Sequence, residues 1–376
     1  MNPVTKLLQI SMLLLAAQSL MPMGKERADF CEKRVGLFSS FSTGPILLDD
    51  TTAVFVYRGA AESVSLAGDW NGWQPHKMTF DPTLGIWYAV LVFPANARLD
   101  YKFVLNEAEW ILDPANPSIC RGGFGDNSEL VMPHYKHSEE TIPRSDIPTG
   151  IIVDSTWYSY SLQKRRAAQL YFPAAYEHLA GDLPLVLFLD GKDFLDAGSA
   201  KIILDNLIAS GRIPPLIALF DSPFDRISEY AGPSVDALDA YITSELLPKL
   251  ANITKVSKNP AQRAIIGVSL SAVFASRFVQ RHPDQFGCCA AFSPAYWYDD
   301  HKVFTEIKQG EIAPVRFYLD RGLFEGNSIA WADSMKDVLE QKGVSVRWRV
   351  WPEGHSWGSW KAHLDEALVY FFAEAE

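Results

Sequence analysis

Five short, almost unbroken apolar runs recur between residues 150 and 376: Leu185–Leu189, Leu216–Phe220, Ala264–Gly267, Cys288–Ser293 and Val315–Leu319. Runs of this length without polar alternation are buried on both faces, as central parallel strands are. Helical stretches separate them, for instance Ser234–Leu250, Ser271–Arg281 and Ser328–Lys342. Strand–helix alternation sustained over this distance predicts a doubly wound α/β domain, with Gly150–Phe172 supplying antiparallel strands at one edge. Upstream the pattern is different. Runs rich in Val, Phe, Tyr and Trp (Ala53–Tyr57, Ser63–Ala67, Ile86–Phe93, Leu99–Leu105, Glu129–Met132) alternate with Gly, Pro, Asn and Asp turns. That spacing predicts a small β-sandwich. The break falls at 134–149, a polar segment flanked and interrupted by prolines that reads as a linker. The chain thus divides into a β-sandwich at 51–133 and an α/β domain at 150–376, two domains being what 376 residues favour.

Residues 1–24 (MNPVTKLLQISMLLLAAQSLMPMG) place one Lys before an apolar run and small residues after it. This order is that of a secretory signal, and the run is short for a membrane span. Residues 25–50 then form a leader to the sandwich, and the mature chain is expected in the periplasm or outside the cell. Export permits a disulfide, for which Cys31 and Cys120 are the candidates, while Cys288 and Cys289 lie in an apolar run and read as buried thiols. With 34 basic against 45 acidic residues the formal net charge is −11, which disfavours nucleic acid as a partner. The one basic cluster, Lys164-Arg165-Arg166, reads as a solvated strand or turn. No other segment offers 18 apolar residues, so no membrane contact is expected beyond the leader.

The chemistry concentrates in RAIIGVSLSAVFAS (263–276). An apolar strand runs through Gly267 to Ser269, where a helix begins. Such a sharp turn lifts a serine hydroxyl out at the sheet edge, with helix N–H groups beneath a developing oxyanion. The usual pattern is G-x-S-x-G. Here Ser271-Ala272 stand at its end, both small but neither glycine. A serine needs a base, and His355 in WPEGHSWGSW (351–360) follows the last β-rich run and precedes the last helix. The order serine, acid, histidine is that of α/β hydrolases. The acid that orients His355 is read as Glu325, with Asp320 the alternative, since both follow the strand Val315–Leu319. The N–H of Leu270 and one near Gly191, after Leu185–Asp190, are the candidate oxyanion donors. Tyr296, Trp297 and Tyr298 follow a strand end and read as lining an aromatic acyl pocket or packing the sheet edge. No Cys/His cluster has metal-ligand spacing, and the chemistry calls for neither metal nor cofactor.

On these pieces the second domain resembles the esterase family that includes enterochelin esterases, feruloyl esterases and esterase D. The matching segments are LVLFLDGKDF (185–194), residues 263–298, FYLDRGLFEGN (317–327) and VRWRVWPEGHSWGSW (346–360). The resemblance implies an α/β-hydrolase fold with Ser269, Glu325 and His355 as nucleophile, acid and base. It also implies that Arg226 and Glu229, in DRISEY, line the pocket. Residues 51–133 resemble glycogen-binding-type carbohydrate-binding modules through LAGDWNGWQPHKM, YKFVLN, EWILDPANP and GDNSELV. That likeness puts Trp73, Lys102, Trp110 and Asn127 at sugar-contact positions, with Trp70 and Trp87 as core candidates. The expected activity is hydrolysis of feruloyl or acetyl esters of polysaccharide through an acyl-enzyme. A ferric enterobactin-type siderophore ester is the alternative substrate, and a non-catalytic glycan-binding protein with a degenerate hydrolase domain is the alternative of another class. The oligomeric state is open.

Overall fold

The structure is a computed structural model that describes residues 44–122 and 125–373. The expected signal segment and Cys31 lie outside the described residues. From residue 150 onward the chain builds one eight-stranded sheet. Its strands are β1 (Ile151–Ser159), β2 (Lys164–Phe172), β3 (Leu185–Leu189), β4 (Ile217–Asp221), β5 (Arg263–Val268), β6 (Cys288–Phe292), β7 (Arg316–Gly322) and β8 (Ser345–Trp351). They lie in the order β1-β2-β4-β3-β5-β6-β7-β8, with β1 and β2 antiparallel at one edge and β3 to β8 parallel. Strands β3 to β6 are buried along their whole length, which is why they read as unbroken apolar runs.

Helices cover both faces. Here α1 denotes Ala200–Ala209, α2 Leu270–Arg281, α3 Ile329–Gln341 and α4 Trp357–Phe372. One core layer gathers Leu187, Leu219, Ile265, Phe274, Leu319 and Met335 beneath α2 and α3. The other gathers Val186, Phe220, Ile266, Phe292, Leu364 and Phe371 beneath α1 and α4. The layers divide by the period-two alternation of each strand. Burial inside the first layer is not purely apolar. Arg166 on β2 is fully buried, where it bonds Asp221 and Glu229 and stacks 5.1 Å from the centre of Tyr241. A solvated Arg166 was the expectation, and it fails because two carboxylates, Asp221 at the end of the neighbouring strand β4 and Glu229 on the short helix Arg226–Ala231, supply the pairing a buried guanidinium needs.

The first domain is an all-β sandwich. One antiparallel sheet contains Ile46–Leu47, Thr52–Tyr57, Ile86–Val92 and Thr79–Asp81. The other contains His76–Lys77, Val64–Gly68, Arg98–Leu105, Asn127–Val131 and Ile119–Cys120, with Glu109–Ile111 added beside Arg98–Leu105. Phe55, Leu66, Phe93, Leu99, Tyr101 and Phe103 form its core. Trp70 packs against them, 5.1 Å from Phe93 and 5.4 Å from Phe55, and Trp87 packs against the same core and on Phe80. The segment joining the domains is tied down rather than loose. Asn206 on α1 donates to the carbonyls of Glu140 and Ile142, and the N–H of Gly150 bonds Asp205. Among the described residues no helix is long and apolar enough to cross a membrane.

Candidate active site

Parallel strands end on one side of a sheet, so every side chain placed just after β3 to β8 meets at the same edge. Ser269 follows β5 there. Its backbone is strained, at φ 55° and ψ −114°, and its residue is half-buried at the head of α2. The elbow is held from both sides. The N–H of Ser269 bonds the carbonyl of Phe292 at 2.9 Å, and its own carbonyl accepts from Ala295 at 3.1 Å. A Cβ on Gly267 would come within 2.5 Å of the Ser271 backbone, so glycine is required for α2 to pack this close to β5. Ser271, in contrast, has a purpose for its side chain: its buried hydroxyl accepts from the N–H of Val268 and donates to the same residue's carbonyl. The departure from a second glycine therefore leaves the turn closed by a side chain.

His355 follows β8 and Glu325 follows β7. The His355 Nδ1 lies 3.5 Å from Glu325 Oε2, with the imidazole 40% exposed and the carboxylate 3%. At this distance the contact is somewhat longer than a good hydrogen bond; such contacts tighten when substrate binds. The far oxygen of Glu325 is fixed by the N–H of Gly322 at 2.7 Å and the hydroxyl of Ser293 at 2.6 Å. Ser293 in turn accepts from the indole of Trp360, whose ring stands edge-on to His355 at 5.1 Å. Ser293 and Trp360 are thus site residues that sequence reasoning missed. The signal available was a serine directly after a buried apolar run; in the structure its φ is 45°. The alternative acid, Asp320, is buried and its Oδ1 takes the N–H of Ser293. Burial pushes its carboxyl well above the ordinary range, against that N–H, with the charges of Glu325 and Glu353 adding to the rise.

The two oxyanion candidates stand side by side, because β3 and β5 are neighbours. Leu270 heads α2, where first-turn N–H groups have no acceptor inside the helix. Gly191 follows Asp190, another residue at positive φ. Arg226 ties the two turns together: its Nε and Nη2 grip the Asp190 carboxylate at 3.0–3.1 Å and Nη2 reaches the carbonyl of Val268 at 2.9 Å. Arg226 is partly exposed, Trp297 half-exposed, and Tyr298 partly buried beside Trp297. Two pocket expectations are corrected. Glu229 is buried, bonded to Arg166 at 2.6 Å and to the N–H of Phe224. Tyr296 is also buried, its hydroxyl on Ser276 at 2.7 Å. Each turns into the core because a polar partner waits there.

On the sandwich, Trp73 and Trp110 stand 6.5 Å apart, Trp110 being 45% exposed. Lys102 is part-exposed on the strand Arg98–Leu105, and Asn127 donates its amide to Asp100. Lys102, Trp110 and Asn127 share one sheet, Trp73 stands in the turn before its strand His76–Lys77, and Asn127 is partly committed within the domain.

Residues 159–371 match the family described as "Putative esterase". The chain belongs to this esterase family. Residues 43–115 also match the carbohydrate-binding module 48 (isoamylase N-terminal domain) family. The iron(III) enterobactin esterase of Escherichia coli strain K12 is 22% identical over 79% of this chain and 82% of its own length. The endo-1,4-beta-xylanase/feruloyl esterase of Xylanibacter ruminicola is 26% identical, over 54% of this chain and 29% of that protein. The crystal structure of the enterobactin esterase of Shigella flexneri superposes with a TM-score of 0.77 at 22% identity, over 89% of this chain and 97% of that one. The fold is thus the α/β-hydrolase fold with an all-β domain before it, as expected, and the chain is a carboxylic ester hydrolase.

Proposed function

We propose that this esterase works through Ser269, His355 and Glu325. The observation that carries the reading is the contact between His355 and a Glu325 fixed by two further groups, at the same sheet edge as a serine on a strained elbow. In this reading Ser269 attacks the ester carbonyl while His355 takes its proton, and His355 returns the proton to the leaving alcohol. Water activated by His355 then releases the acyl group from Ser269. Glu325 holds the tautomer and supports the imidazolium. The N–H groups of Leu270 and Gly191 face the oxyanion. Ser269→Ala is expected to lower kcat on p-nitrophenyl acetate by roughly 10³-fold or more. Retained hydrolysis in that variant would overturn the assignment.

For substrate, we favour an aryl-amide-bearing siderophore ester of the enterobactin kind over polysaccharide esters, reversing the order suggested by the sequence. The enterobactin esterases match this chain across both domains, whereas a ferulic acid esterase superposes on 60% of it. The second reading, a feruloyl or acetyl ester on polysaccharide, is supported by the Trp73–Trp110 pair, since indole faces stack on sugar rings. A panel of ferric catecholate trilactone, methyl ferulate and acetylated xylan separates them. The highest kcat/KM on the trilactone supports the first reading. The highest on methyl ferulate or xylan, with binding to xylan lost in Trp73→Ala, supports the second.

A further inference from the structure

The sandwich touches the α/β domain at the loop that carries His355. Arg98, on the sandwich strand Arg98–Leu105, is 1% exposed. Its backbone N–H bonds the carbonyl of Pro352 at 3.2 Å, and it forms a parallel bridge with Glu353. Its guanidinium donates to Ser356 Oγ at 3.0 Å and to Asp100 at 2.8 Å, and it pairs with Glu129. Gly358 lies flat against that guanidinium, where any Cβ would overlap it. On the other side of the histidine, Gly354 lies against Asp69 of the sandwich, and a Cβ there would land on the carboxylate. Asp69 is fixed in turn by the N–H of Asp100 at 2.7 Å and the indole of Trp73 at 3.2 Å. The acid loop is clamped as well. Phe324, next to Glu325, packs into the sandwich core with its ring 6.5 Å from Phe93.

Both residues flanking His355, and the residue preceding Glu325, are therefore contact points with the first domain. A module serving only as a tethered sugar binder has no need to meet the hydrolase at these positions. We propose that the β-sandwich is a structural half of the catalytic centre, in which Arg98 and Asp69 are positioning residues that hold the loop 352–358 and so aim His355. This rests on the role given to His355 above. The imidazole itself is 40% exposed, with Glu325 at one nitrogen and the Trp360 ring edge-on beside it, so its aim depends on how its loop is held.

The test uses the full-length chain and p-nitrophenyl acetate, a substrate too small to need a sugar or catechol subsite. Arg98→Met, Arg98→Lys, Ser356→Ala and Gly354→Ala are compared with Lys77→Ala, an exposed pair partner elsewhere on the sandwich. Each is assayed well below its melting temperature, with folding checked by circular dichroism. Arg98→Met and Gly354→Ala are expected to lower kcat by roughly 10- to 100-fold while KM stays within about twofold. Reaction of Ser269 with a fluorophosphonate should slow in parallel, and the acid limb of the kcat profile, which reports the histidine, should move. Arg98→Lys should recover part of the rate, Ser356→Ala should fall between, and Lys77→Ala should match the parent. Gly354→Ala keeps Arg98 and its partners Asp100 and Glu129 in the chain, so it decides the question even if Arg98→Met does not fold. Folded Gly354→Ala and Ser356→Ala with parental kcat and an unmoved acid limb would overturn the proposal. Were Ser269→Ala or His355→Ala to retain hydrolysis, the triad reading would fall instead, a separate outcome.

Discussion

At the scale of single residues, the choice between Glu325 and Asp320 shows how an environment assigns a role. Asp320 lies near the end of β7 and Glu325 in the loop after it, but Asp320 turns inward onto the N–H of Ser293 and Glu325 turns toward His355. Glu325→Gln is accordingly expected to lower kcat by roughly 10³-fold, because the amide no longer favours the imidazolium. Asp320→Asn should stay within about tenfold of the parent, its loss reflecting a loosened Ser293 rather than lost chemistry. The reverse ranking in steady-state kinetics would make Asp320 the acid. Asp69 offers a second prediction. Burial, with the Asp100 charge second, pushes its carboxyl up to about 8, against the Asp100 N–H, Arg98 and the Trp73 indole. A folded-state pKa raised above the unfolded value means that this group's stabilisation is full below pH 3.8 and is lost as pH rises from there through about 8. Asp69→Asn lacks that titration, so the melting-temperature difference, variant minus parent, should grow between pH 5 and 8; parallel curves would refute it.

At the scale of elements, the strand-to-helix turn and the last loop were readable because their signals are local. An apolar strand, a glycine, a serine and a helix in succession leave few folds open, and so does a histidine between a final strand and a final helix. What escaped is which way a side chain leaves a strand end. Glu229 was read toward the cleft and Tyr296 toward either the cleft or the sheet edge; both go to the core, because Arg166 and Ser276, 63 and 20 positions away, are the partners that decide. Ser293 was overlooked for the same reason: its partners, Glu325 and Trp360, lie on other elements. The elbow also makes a packing prediction. Gly267→Ala forces α2 away from β5 and should cost about 1–3 kcal/mol of stability in urea unfolding. A variant as stable as the parent would show that the helix shifts freely.

At the scale of the whole molecule, two domains were legible as two patterns, one alternating and one continuous, but their relation was not. Arg98 and Ser356 are 258 positions apart, and a buried guanidinium between them leaves no trace in either local pattern. With Phe324 in the sandwich core and Arg98 at the histidine loop, neither domain should melt alone. Scanning calorimetry is expected to give a single cooperative transition, and two separated transitions would contradict the interlock. The same interlock restricts engineering. Exchanging the front module for a homologous one, cut at the linker, transplants half of a lock without its key. The seam in a working chimera has to run through space rather than along the chain, so that residues 352–358 and Phe324 travel with the sandwich they were shaped against.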